Sequence, residues 1–148
     1  MPNIPQHTVP TPQQLAELAA FAEAVAHRAY APYSRFLVGA ALLLETGEVV
    51  VGANVENASY RLTTCAEQAA IATGVALHGP AIRLRAVVVH NLNRTSCQPC
   101  GACLQTIAEF APSSAIITYP AVDGVPRTCT LADLLPSIFS LHPHSPTL

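Results

Sequence analysis

Phe36-Leu37-Val38-Gly39-Ala40-Ala41-Leu42-Leu43-Leu44 runs without a polar side chain and without alternation. Such a run is expected of a strand buried on both faces. Glu45-Thr46-Gly47-Glu48 has turn chemistry, and Val49–Asn54 reads as a second strand, so the two form an antiparallel hairpin. Upstream, Thr11 is a helix cap, Pro12 suits the first helical position, and Gln14 completes a capping box. Leu15, Leu18, Ala22, Val25 and Ala29 recur at helical spacing, which predicts a helix to about Tyr30, stopping before Pro32. Downstream, the polar stretch Asn54–Tyr60 follows a strand, and strand ends are where layered α/β folds meet ligands. A small-residue helix is predicted from Cys65 to Leu77, capped by Thr63 or Thr64 and ended by His78-Gly79-Pro80. Leu84–His90 is a strand, Pro99 or Cys100 opens a helix to Phe110, and Ala115–Tyr119 is a strand. Arg127–Thr130 is an edge strand and Leu131–Leu135 a helical turn. This order predicts an α/β sandwich with a mixed sheet.

The chain has 148 residues, which suits one domain, and 51% of them are hydrophobic, enough for a substantial core. Only 11% are charged, which favours an oligomer with part of its surface buried between subunits. A net charge of −2 with no basic run argues against nucleic acid as a partner. No apolar run approaches membrane-spanning length, and Met1–Pro10 lacks the basic patch and apolar core of a signal peptide. A cytoplasmic location is the expectation, with residues 1–10 a flexible arm, 11–139 the folded domain and 140–148 a flexible tail. In a reducing compartment an odd set of five cysteines points to metal binding or catalysis rather than a disulfide framework.

The chemistry concentrates in Cys65-Ala66-Glu67 and Pro99-Cys100-Gly101-Ala102-Cys103. Cys65 and Cys100 fall at predicted helix starts, where free N–H groups favour thiolate. Cys100 and Cys103 are spaced to share one face of a first helical turn. Three thiolates suit zinc, and three protein ligands leave the fourth position open, as in a catalytic rather than a structural site. Cys97 is a candidate fourth ligand, weakened by its place in a loop before Pro99. Glu67 is the candidate proton shuttle beside the metal. A redox role for Cys-x-x-Cys requires a thioredoxin-like order of elements, which this chain lacks. The reading is a zinc hydrolase.

These motifs match the zinc deaminase signature of Cys-x-Glu followed by Pro-Cys-x-x-Cys. Together with Tyr30-Ala31-Pro32-Tyr33-Ser34, Val38-Gly39-Ala40-Ala41, Asn54–Tyr60 and Leu134-Leu135-Pro136, the chain resembles small homotetrameric cytidine deaminases over roughly Leu15–Phe139. The resemblance implies a three-layer α/β/α sandwich on a mixed five-stranded sheet. It implies hydrolytic deamination of cytidine and 2′-deoxycytidine in pyrimidine salvage. It assigns zinc to Cys65, Cys100 and Cys103, acid–base catalysis to Glu67, and the pyrimidine carbonyl to the Ala66 N–H. Asn54 and Glu56 would hold the ribose hydroxyls, Phe36 would wall the base, and Phe139 would reach into a neighbouring subunit's site. Gln68 stands where the all-cysteine members of the family usually carry arginine, and Leu104 where arginine commonly follows the last ligand. Two rival readings are a deaminase of another aminopyrimidine nucleoside, such as a nucleoside antibiotic, and a non-catalytic zinc-stabilised binding protein.

Overall fold

The computed structural model describes residues 9–141. Its elements are α1 (Pro12–Ala26), β1 (Val38–Leu44), β2 (Val49–Ala53), α2 (Ala66–His78), β3 (Leu84–Asn91), α3 (Gly101–Phe110), β4 (Ile116–Pro120), β5 (Pro126–Thr130) and α4 (Leu131–Leu134). The sheet order is β2-β1-β3-β4-β5, with β3 and β4 parallel and every other pair antiparallel. This is the expected mixed five-stranded sheet.

Side chains along β1 divide by parity, as the pleat requires. Ala41 and Leu43 join Ala86 and Val88 of β3 against Leu18 and Ala22 of α1. Val38, Ala40, Leu42 and Leu44 join Val87 and Val89 against Ala66, Ala70 and Ile71 of α2 and Leu104 and Ile107 of α3. Both faces of the sheet are therefore covered, and all of β1 is buried. That produces three layers, α/β/α. Two glycines set the spacing between them. A Cβ on Gly39 would stand 2.0 Å from the Ala22 carbonyl oxygen of α1, and one on Gly52 would stand 2.2 Å from the Ala70 nitrogen of α2. Only glycine lets the helix backbones come this close.

Several boundaries differ from expectation, and tertiary hydrogen bonds explain them. The Thr11 capping box forms as read, but α1 ends at Ala26 rather than near Tyr30. Tyr30 donates its N–H to the Asn54 carbonyl and accepts from the Glu56 N–H, so its backbone is committed to a remote segment. Thr64 does not cap α2 because it exchanges both backbone bonds with Val55, and Cys65 takes the cap position instead. β1 begins at Val38, two residues later than read, because side-chain amides occupy the preceding backbone. The expected arm and tail lie largely outside the described residues.

The register brings the start of β1 and the ends of β2 and β3 to one edge: Val38 faces Asn91 and Gly39 faces Ala53. The parallel β3–β4 pair places the end of β4 there too. The loops leaving this edge lead into α2 and α3.

Candidate active site

α2 and α3 each begin at a cysteine. Cys65 is the N-cap of α2 and Cys100 the N-cap of α3, both with extended backbone and neither making a side-chain capping bond. Cys103 lies in the first turn of α3 and is buried. The three sulfurs lie within 4.8 Å of one another, and among the described residues they are the one such cluster. A tetrahedral ion with zinc–sulfur bonds of about 2.3 Å holds its sulfurs about 3.8 Å apart. The donor set, its spacing and the exposure of Cys100 on one side fit a zinc ion with a coordination position left open.

The electrostatics favour a cation. A hydrogen bond from Cys103 lowers the Cys65 thiol to about 7 against the opposing effect of burial, with Cys100 helping. Cys103 is raised, first because its S–H is held by Cys65 and then by burial and the nearby charges. One thiol of the cluster thus ionises readily and the next resists, because negative charge accumulates without a counter-ion. A divalent cation removes that resistance. The first-turn N–H groups of both helices add fixed positive potential at the same point.

Glu67 stands in the first turn of α2 and is 4% exposed. Desolvation holds its carboxyl above the ordinary value, against a backbone N–H and the Cys103 thiol that pull the other way. It lines the same cavity as the three cysteines.

Cys65, Ala66, Glu67, Cys100 and Cys103 line one cavity of about 180 Å³ with Phe36 and Asn54. Val38, Thr63, Cys97 and Gln98 complete its walls. Cys97 is outside the sulfur cluster, and burial raises its thiol to about 11. It packs against the core as a wall residue. Asn54 is buried and already engaged: its Oδ1 accepts from the Val38 N–H at 2.9 Å and its Nδ2 donates to the Phe36 carbonyl at 2.8 Å. One N–H and one lone pair remain for a ligand.

Glu56 and Phe139 are not among the residues lining this cavity. The Glu56 carboxylate accepts from the Tyr33 and Ser34 N–H groups and from the Ser34 hydroxyl. The Ser34 hydroxyl bond, followed by the backbone bonds, holds its pKa below the usual carboxylate value. Phe139 is 69% exposed, and its carbonyl accepts from the Gln105 side chain of α3. Gln68 is half-buried in the first turn of α2, and Leu104 is buried in the core beneath α3. Sequence reading missed Val38, Thr63 and Gln98 as wall residues. Gln98 directly precedes Pro99, and that adjacency was the available signal.

Residues 12–119 match the family model for the cytidine and deoxycytidylate deaminase zinc-binding region. The chain is 45% identical to a cytidine deaminase of Mycobacterium tuberculosis over 114 residues, covering 76% of this chain and 80% of that one. It is 42% identical to a cytidine deaminase of Halalkalibacterium halodurans over 112 residues, covering 76% and 83%. The crystal structure of the M. tuberculosis cytidine deaminase superposes with a TM-score of 0.74 at 42% identity, over 85% of this chain and 97% of that chain. That of Burkholderia pseudomallei cytidine deaminase superposes with a TM-score of 0.75 at 38% identity, over 84% and 98%. With family model, relatives and fold in agreement, the chain belongs to the cytidine and deoxycytidylate deaminase family.

Proposed function

We propose that this protein hydrolyses cytidine and 2′-deoxycytidine to uridine and 2′-deoxyuridine with release of ammonia, in pyrimidine salvage. The observation that carries the reading is the convergence of two helix starts, which gathers three thiols and a buried carboxyl in one cavity. Cys65, Cys100 and Cys103 would hold zinc, which would supply Lewis acidity and bring the ionisation of a water close to neutral pH. Glu67 would take one proton from the water and deliver it to N3 as the water oxygen bonds to C4, then move the remaining proton from that oxygen to the C4 amine as the C4–N bond breaks and ammonia leaves. Its burial suits the task, because desolvation raises the carboxyl pKa and makes the group a better proton acceptor than an exposed carboxylate. The Ala66 N–H, in the free first turn of α2, orients the pyrimidine carbonyl, and Phe36 packs beside the ring. Asn54 offers its remaining donor to the ribose.

A nucleoside is preferred over a nucleotide. No lysine or arginine is among the residues lining the cavity, and a 5′-phosphate requires a cation or a dedicated set of N–H groups. Glu56 would serve the ribose from the cavity rim. The exposed Tyr30, Tyr33, Val55, Tyr60, Leu62 and Phe139 suit an interface between copies of this chain. We infer a homotetramer in which Phe139 closes a neighbouring site. The five thiols are free of disulfides, which suits a reducing cytoplasm. An intact Glu67 argues against a non-catalytic zinc binder, and Phe36 and Asn54 in the cavity wall favour an ordinary nucleoside over a nucleoside antibiotic.

The experiment is loss of cytosine absorbance with cytidine, 2′-deoxycytidine, cytosine and deoxycytidylate, alongside zinc per chain. Zinc-dependent turnover of both nucleosides, with little on the free base or the nucleotide, is expected. A zinc-loaded protein inert on both nucleosides would overturn the reading.

A further inference from the structure

The backbone that presents Phe36 to the cavity precedes β1 and lies outside the paired strands, yet its polar groups are paired. Asn54 takes one edge, accepting from Val38 and donating to Phe36. Asn93 takes the other: its Oδ1 accepts from the Leu37 N–H at 3.1 Å and its Nδ2 donates to the Arg35 carbonyl at 3.1 Å. Each side-chain amide stands where a strand's peptide group would, and together they extend the β1 ladder beyond the sheet. The segment needs this support. Arg35 has φ 58°, a left-handed conformation that a non-glycine residue keeps only when its surroundings hold it.

Asn93 is itself on a fixed platform. It lies in the loop between β3 and Cys100. Buried Asn91, the last residue of β3, exchanges two bonds with the Thr95 backbone of that loop, the Leu92 N–H donates to the Leu37 carbonyl, and the Cys97 N–H donates to the Pro120 carbonyl. The same loop therefore carries a metal ligand at its end and a clamp on the aromatic wall in its middle.

We propose that Asn93 is a positioning residue for the base subsite: its amide ties the Arg35–Leu37 backbone to the Cys100 loop and so sets the place of Phe36 relative to the metal cluster. This rests on the deaminase reading of the cavity. Asn93 touches neither the cluster nor the cavity, so its loss leaves zinc binding intact. Asn54 still holds Phe36 and Val38, so the wall loosens without collapsing.

The test compares wild type, Asn93→Ala and Asn93→Asp for zinc per chain, kcat and KM with cytidine, and amide hydrogen exchange over residues 35–38. Asn93→Asp keeps an acceptor for Leu37 and removes the donor to Arg35. In Asn93→Ala we expect full zinc, faster exchange at the Leu37 amide and a KM raised about fivefold, as the loss of two partly exposed hydrogen bonds implies. Asn93→Asp should move in the same direction. Unchanged KM in both variants, with or without a fall in Tm, would overturn the inference and leave the deaminase reading standing. A wild-type protein inert on cytidine would instead overturn that reading, and the inference with it.

Discussion

Gly52→Ala tests whether the spacing between sheet and helix governs the metal cluster. A Cβ at position 52 would lie 2.2 Å from the Ala70 nitrogen, 2.7 Å from the Ala66 carbonyl oxygen and 2.7 Å from the Ala70 Cα. Ordinary contact begins at 3.4 Å, and all three neighbours are backbone, so α2 must retreat by about 1.2 Å. Ala66 and Ala70 belong to the first turns of α2, so the retreat carries Cys65 and Glu67 with it. Cys100 and Cys103 ride on α3 and do not follow. Metal–ligand distances tolerate only about 0.2 Å. An error of about 1 Å at a catalytic group costs about a hundredfold in rate. Overpacking adds about 3 kcal/mol of destabilisation, roughly 10 °C in Tm for a chain of this size. The assay is thermal unfolding with and without a chelator, zinc per chain after dialysis, and kcat on cytidine. We expect a lower Tm, weaker zinc retention and slower turnover together. A Gly52→Ala protein with wild-type Tm and full zinc would refute the reasoning, because the helix would then have room that the packing denies.

Glu67→Gln should retain zinc and lose roughly 10²- to 10⁴-fold in kcat, the usual share of a general acid–base group; full activity would remove Glu67 from the mechanism. Cys103→Ala should bring zinc per chain close to zero under mild chelation, read by metal analysis, since it leaves two ligands and a buried gap. Thr11→Ala removes half of the α1 capping box and should cost about 1 kcal/mol in denaturant unfolding, with KM unchanged. Glu56 supplies a pH test. Its folded pKa lies below the ordinary carboxylate value, so its contribution to stability is present above that value and disappears as pH falls through the folded pKa. The Tm difference between wild type and Glu56→Gln should therefore be largest near neutrality and shrink below about pH 4; a difference independent of pH would contradict the assignment.

The parts of this fold that were legible in the sequence are those fixed locally or by burial. The run at 36–44 could be read because a strand covered on both faces admits no polar residue. The Thr11–Gln14 box could be read because its partners are three residues apart. The two metal motifs could be read because thiols and an acid at that spacing have few other uses. What escaped was set by remote partners. Nothing near Tyr30 says that Asn54 and Glu56 will take its backbone bonds, or that Val55 will claim Thr64. Nothing in the loop after β3 says that Asn93 will reach residues more than fifty positions earlier. Resemblance gives Glu56 to the ribose and says nothing of its carboxylate fastening the 33–34 turn.

Cys65 and Cys100 occupy cap positions yet form no side-chain capping bonds to their helices. In most helices a serine, threonine or aspartate satisfies the first-turn N–H groups. Here the residue in that place is committed to the metal, so zinc and helix entry share one anchor. Metal affinity then becomes part of folding free energy, since anything that binds only the native chain stabilises it by mass action. The first turns of α2 and α3, which carry the cluster, are then the parts of the fold whose stability is tied most directly to metal supply.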